Sequence, residues 1–221
     1  MDSDRVVNKT AASDPHAGQR VVRRGAGWPS ARLAVILLHG RGGAPENLLE
    51  LADEWHMSDI AYIAPAAAGH TWYPESFLAP IERNEPWLTS ALRTVERVVG
   101  DLEHHGISTE RIAILGFSQG GCLGLEFAAR HARRYAGVVG LSAGLIGPPG
   151  TPRAYGGSLA GTPVFLGCSD IDPHIPLPRV HESADVFRRL GALVDERIYP
   201  GMGHNVNADE VEAVRTLIEP R

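Results

Sequence analysis

Short, unbroken apolar stretches recur along this chain with amphipathic stretches between them, and that alternation constrains its fold more than any other feature. The first is Leu33-Ala34-Val35-Ile36-Leu37-Leu38, which ends at His39-Gly40. A continuous apolar run of that length matches a strand buried on both faces. Ile60–Ala64, Ile112–Leu115, Val138–Leu141, Pro163–Leu166 and Val194–Tyr199 repeat the pattern. In the intervals the period changes. Leu88, Leu92, Val95, Val99 and Leu102 fall on one helix face, and Cys122, Leu125, Ala129 and Ala132 form a small-residue face suited to lying flat on a sheet. Val180, Ala184, Phe187 and Leu190 form another face, closed by Gly191 in a C-cap position. Asn207-Ala208-Asp209-Glu210 reads as an N-cap with its acidic partner ahead of Val211, Val214 and Ile218. Strand and helix alternating in this way predict βαβ units, hence an α/β fold with a mostly parallel twisted sheet and helices on both faces.

At 221 residues, 43% of them hydrophobic, the chain can bury a core as one α/β domain without a disulfide or metal staple. The expected division is a loose, polar tail over residues 1–18 and a single domain over 19–221. The balance of 21 Lys+Arg against 26 Asp+Glu argues against a nucleic-acid partner. Cys122 and Cys168 are too few for a disulfide framework and suit a reducing compartment. No stretch has the length of a membrane span, and the first residues lack the apolar core of a secretory leader. A soluble, cytoplasmic protein is therefore expected. Two long connections, 65–86 and 142–162, break the rhythm, and loops of that length usually carry function. In a parallel sheet they gather at the carboxyl ends of the strands, where ligands bind.

Gly-x-Ser-x-Gly occurs twice, as Gly116-Phe117-Ser118-Gln119-Gly120 and as Gly140-Leu141-Ser142-Ala143-Gly144. A nucleophile elbow needs a strand, a tight turn and an immediate helix, with glycines where neighbouring backbone comes close. Ser118 meets that requirement. Ser142 is followed by Gly-Leu-Ile-Gly-Pro-Pro-Gly, which cannot be helical, and reads as an ordinary turn. A serine hydroxyl needs a base to take its proton. His204, in Gly201-Met202-Gly203-His204 after the last strand, is placed to reach over the sheet. His39 ends the first buried strand and is expected to shape the turn after it. An imidazole in that role needs a carboxylate to hold its tautomer. Cys168-Ser169-Asp170-Ile171-Asp172-Pro173 offers two, Asp170 and Asp172, and the residues alone leave both open, the other being a solvated turn residue. An oxyanion hole needs two N–H donors. Gln119 supplies one at the helix start, and the Arg41 amide in His39-Gly40-Arg41-Gly42-Gly43 is the favoured second. Trp72, Tyr73 and Phe77 in the first long loop are the expected substrate-binding wall.

These segments together resemble the phospholipase/carboxylesterase family of α/β-hydrolases, which includes the acyl-protein thioesterases. The resemblance rests on His39-Gly40-Arg41-Gly42, the Gly116–Gly121 elbow, Asp172-Pro173-His174-Ile175-Pro176 and Gly201-Met202-Gly203-His204, and it spans about 30–220. It implies an α/β-hydrolase fold, no cofactor, and hydrolysis of carboxylic esters through an acyl-enzyme. Its Asp-Pro register points to Asp172 as the acid, while the usual spacing from the preceding glycine fits Asp170. Arg41 stands where the acyl-protein thioesterases carry an apolar residue. A guanidinium there would favour anionic substrates or pair with an acidic loop residue.

The reading is a serine carboxylesterase for small to medium carboxylic esters, with Ser118, His204 and Asp172 as triad and no separate cap domain. A thioesterase or lysophospholipase using the same triad is the alternative, and a non-catalytic binding protein on a hydrolase scaffold is a third reading. No His-Glu-x-x-His or comparable ligand spacing suggests a metal hydrolase. The expected partner is a small-molecule ester, and the sequence leaves a homodimer open.

Overall fold

A computed structural model describes residues 14–219. Seven strands form one sheet: β1 (Val21–Gly25), β2 (Leu33–Leu38), β3 (Ile60–Pro65), β4 (Ile112–Phe117), β5 (Gly137–Leu141), β6 (Pro163–Ser169) and β7 (Leu193–Tyr199). Their spatial order is β1-β3-β2-β4-β5-β6-β7, with β1 antiparallel to β3 and every other pair parallel. Five α-helices accompany them among the described residues: α1 (Pro45–Asp53), α2 (Trp87–His104), α3 (Ser118–Arg130), α4 (Leu177–Arg189) and α5 (Ala208–Ile218).

The unbroken apolar run of β2 has a direct structural cause. Ala34, Ile36 and Leu38 enter a core shared with α2, α3 and α4, whereas Leu33, Val35 and Leu37 enter a second core beneath α1 and α5. Both faces are covered, so the usual polar alternation disappears. α5 begins at the capping box read from sequence: the Asn207 side chain accepts the Glu210 N–H, and the Glu210 side chain accepts the Asn207 N–H. Gly191 lies at φ +81° just after α4, which ends at Arg189, as a left-handed cap requires.

From β2 the chain moves outward to β3 on one side and then returns to β4 on the other. The sheet order therefore reverses between β2 and β4, and the loops after those two strands open into the crevice where doubly wound sheets bind ligands. Those loops are His39–Gly43 and the turn at Ser118.

Two elements escape the apolar-run reading. β1 is an edge strand whose residues are mostly exposed, so it carries no buried run, and α1 is a short helix begun by Pro45. The N-terminal expectation also changes. Residues 1–13 lie outside the described residues, but 14–18 are folded against the body rather than loose. Asp14 takes hydrogen bonds from Ser90 and Arg97, and buried His16 accepts from the Ala68 amide and donates to the Trp72 carbonyl. Burial lowers the His16 pKa, and a neutral ring is what its two partners need, since protonation would turn a second N–H toward the Ala68 donor. No helix among the described residues is long and apolar enough to cross a membrane.

Candidate active site

Ser118 stands at the junction of β4 and α3 with φ +53°, a left-handed value that a non-glycine residue adopts only where its surroundings impose it. The flanking glycines are required by contact. A Cβ on Gly116 would meet the Gly120 carbonyl carbon at 2.4 Å, and one on Gly120 would meet the Leu38 oxygen at 2.1 Å. The helix start is thereby pressed against the end of β2. A Cβ on Gly40 would lie 3.4 Å from the Ser118 Cβ, so the His39–Gly43 loop runs directly beside the serine.

His204 arrives from the loop after β7. Its Nε2 is 2.8 Å from Ser118 Oγ and its Nδ1 is 2.7 Å from Asp172 Oδ2. A carboxylate can only accept, so Nδ1 carries the proton and Nε2 offers its lone pair to the Ser118 hydroxyl. The Asp172 side chain is fully buried and His204 is 18% exposed. Burial pushes the Asp172 carboxyl up, but hydrogen bonds from His204 and from the His174 and Ile175 amides outweigh it and hold the pKa below the ordinary value. The buried Cys168 thiol also points at Asp172 Oδ2, at 3.7 Å, and burial pushes that thiol up to about 12, so it stays a donor.

The second carboxylate has different work. Asp170 makes no hydrogen bond to His204; its Oδ1 accepts the Gly201 N–H at 2.8 Å, and the Ser169 hydroxyl accepts the Gly203 N–H at 3.0 Å. Both bonds fasten the loop that carries His204. Ser142, the serine of the other Gly-x-Ser-x-Gly, is buried with φ +45° and donates to the Asn205 carbonyl. It braces the same loop from below. None of these bracing contacts has a sequence signature of its own, because each joins segments far apart in the chain.

Gln119 follows the serine directly, and Arg41 follows Gly40, whose backbone runs beside it. Gln119 occupies the first turn of α3, where an N–H has no intrahelical carbonyl to pair with. The Arg41 amide has no partner among the described residues. Among the described residues the Arg41 guanidinium pairs with no carboxylate. It donates instead to the Tyr73, Pro74 and Glu75 carbonyls at 3.0, 2.8 and 2.7 Å. His39 shapes the turn as expected, its Nδ1 donating to the Gly40 carbonyl while Nε2 accepts the Ala67 N–H.

A cavity of about 270 Å³ opens at Gln119, the residue after the serine, and is bordered by Arg41, Tyr73, Phe77, Cys122 and Ile175 among others. Tyr73 and Phe77 line this cavity. Trp72 does not. It is completely buried between the rings of His16 and His39, with centroid separations of 5.5 and 5.1 Å, and its indole N–H donates to the His39 carbonyl. Its large ring and single donor are satisfied inside the core, where it supports the His39–Gly43 loop from beneath.

Glu210 lies under the same corner. It is buried, Oε2 accepts the Asn207 N–H, and Oε1 has no partner among the described residues. Gly167 makes room for it, since a Cβ there would come within 2.1 Å of Oε1. Burial raises its pKa from 4.5 to about 7. A carboxyl raised on folding favours the native state below its unfolded pKa and loses that contribution as pH rises through the folded value. At about 1.4 kcal/mol per pKa unit, the native state should lose roughly 3 kcal/mol from this group between pH 4.5 and 8. Urea midpoints at pH 5 and 8 are therefore expected to converge for Glu210→Gln relative to the parent; an equal pH dependence in both would show that the group is not raised.

A sequence profile for the Phospholipase/Carboxylesterase family matches residues 27–220. A crystal structure of a phospholipase/carboxylesterase from Dyadobacter fermentans is 39% identical, covers 90% of this chain and 96% of its own, and superposes with a TM-score of 0.87. The carboxylesterase of Bacillus cereus superposes with a TM-score of 0.73 at 19% identity, over 91% of this chain and 94% of its own, a likeness of fold. Acyl-protein thioesterase 1 of Neurospora crassa is 25% identical over 85% of this chain and 86% of its own length.

Proposed function

The chain belongs to the phospholipase/carboxylesterase family of α/β-hydrolases and is a carboxylic ester hydrolase, and on that premise we propose that it is a serine carboxylesterase acting on small to medium acyl esters through Ser118, His204 and Asp172. One observation carries this: an unbroken hydrogen-bond chain of 2.8 and 2.7 Å from hydroxyl through imidazole to buried carboxylate. Ser118 Oγ attacks the ester carbonyl while His204 Nε2 takes its proton. The tetrahedral oxyanion accepts from the Gln119 and Arg41 amides. His204 then gives its proton to the leaving alcohol, which departs as the acyl-enzyme forms. A water molecule repeats the sequence, its proton passing to His204 and back to Ser118 as the acid is released. Asp172 keeps Nδ1 protonated and stabilises the imidazolium between these transfers.

The cavity sets the expected acyl length. At about 270 Å³ it lies just under the ~300–1,000 Å³ typical of ligand pockets, which suits a short acyl group better than a long one. A fluorophosphonate probe should label Ser118 in the native protein, and kcat/KM on nitrophenyl esters should peak at acyl chains of about four to eight carbons. Absence of label would end the serine-nucleophile reading, and a rate still rising at sixteen carbons would end the small-acyl one.

A thioesterase reading has one supporting observation, the likeness to a curated relative named acyl-protein thioesterase 1. The same groups serve both bonds. Rates on an ester and a thioester with one acyl group in common separate the two.

A further inference from the structure

The geometry points to the Arg41 side chain as a positioning residue for the oxyanion hole, acting jointly with the Gln119 side chain through the carbonyl of Tyr73; this rests on the serine-hydrolase reading above.

Arg41 and Gln119, whose amides are the oxyanion donors of that reading, have side chains that meet at one acceptor. Arg41 Nη2 donates to the Tyr73 carbonyl at 3.0 Å, and Gln119 Nε2 donates to the same oxygen at 2.7 Å. Thr71 Oγ1 adds a third bond at 2.9 Å. Each residue is then tied down a second time. The Arg41 fork continues to the Pro74 and Glu75 carbonyls, and Gln119 Oε1 accepts the Trp72 N–H at 2.9 Å. Behind this segment Trp72 donates to the His39 carbonyl, which closes the ring back onto the loop holding Arg41.

The consequence is mechanical. An oxyanion donor is effective when its N–H is already aimed before the reaction begins, so that no reorganisation accompanies the developing charge. The Gln119 amide is held by α3. The Arg41 amide sits in a glycine-rich turn with Gly40 before it and Gly42, at φ +76°, after it. Such a turn has little intrinsic stiffness. Beyond Arg41 the Gly42 N–H donates to the His70 carbonyl at 2.8 Å and the Gly43 N–H to the Gly40 carbonyl, while Arg41 itself is tied to the facing segment by three bonds from its planar guanidinium, a fork that lysine, a point charge on a flexible stem, cannot reproduce.

The test separates transition-state alignment from pocket shape. Arg41→Leu is expected to lower kcat on a short nitrophenyl ester by about 10- to 100-fold, less than the ~10²–10³ seen when a donor is deleted outright. KM should move by less than about threefold, because the ground-state ester does not use the hole. Affinity for an arylboronic acid, which forms a tetrahedral adduct on Ser118, should fall by the same factor as kcat. Gln119→Leu should behave alike, and the double variant should lose far less than the product of the two, since both act on one carbonyl. Arg41→Lys should fall between parent and Arg41→Leu, and it carries the same readouts if Arg41→Leu does not fold. Unchanged kcat and boronate affinity in these variants, or a loss confined to KM, would overturn the proposal. Fluorophosphonate labelling of the parent is read first. A parent that does not label sinks the serine-hydrolase reading, whereas a labelled, active parent with indifferent Arg41 variants sinks the positioning role alone.

Discussion

Ser118→Ala is expected to leave a folded protein whose kcat on a short nitrophenyl ester is lowered by about 10⁵- to 10⁶-fold, with fluorophosphonate labelling abolished. The size of the effect follows from what is removed. Without Oγ there is no covalent intermediate, and His204 Nε2 loses the hydroxyl it faces at 2.8 Å. What remains is whatever the oxyanion amides and the pocket can do for a direct attack by water. The fold should tolerate the change, because alanine keeps the Cβ around which the elbow is packed and removes only the oxygen. A thermal midpoint within a few degrees of the parent is the necessary control. Activity within about tenfold of the parent would place the nucleophile elsewhere.

The second large effect separates two carboxylates only two residues apart. Asp172→Asn should reduce kcat by about 10³- to 10⁴-fold, because a carboxamide offers His204 Nδ1 a donor as readily as an acceptor and the imidazole loses its imposed tautomer. The loss of charge adds to this: the Asp172 carboxylate is held in place by His204 and two backbone amides, and a neutral side chain cannot stabilise the imidazolium. Asp170→Asn should cost less than about threefold, since the amide oxygen can still accept the Gly201 N–H that fastens the histidine loop. Steady-state kinetics of both variants in parallel decide the matter. A large loss in Asp170→Asn with a mild one in Asp172→Asn would reverse the assignment of the acid.

Much of this architecture is legible in the sequence alone. The β2 run announced a strand covered on both faces, and Leu33 to Leu38 do divide between two cores. The Gly116-x-Ser118-x-Gly120 spacing announced an elbow, because close approach of β4, α3 and the end of β2 excludes any Cβ at those glycines. Asn207 and Glu210 announced the start of α5 through a local exchange of hydrogen bonds. Each of these rests on residues near one another in the chain. Trp72 shows the limit. A large aromatic in a long loop suits a pocket wall and a core equally well, and only the presence of His16 and His39 on either side turned it inward.

The sequence by itself determined the order of strands β2 to β7 and of helices α2 to α5, and the sharp turn at Ser118, since local sterics and periodicity act over a few residues. Only the tertiary structure decided which aspartate meets His204, that Asp170, Ser169 and Ser142 fasten the loop bearing it, and that the Arg41 guanidinium meets carbonyls instead of a carboxylate. Those are contacts between segments tens of residues apart, and their partners are chosen by how the sheet stacks its loops at one edge, a geometry that no short stretch of chain encodes.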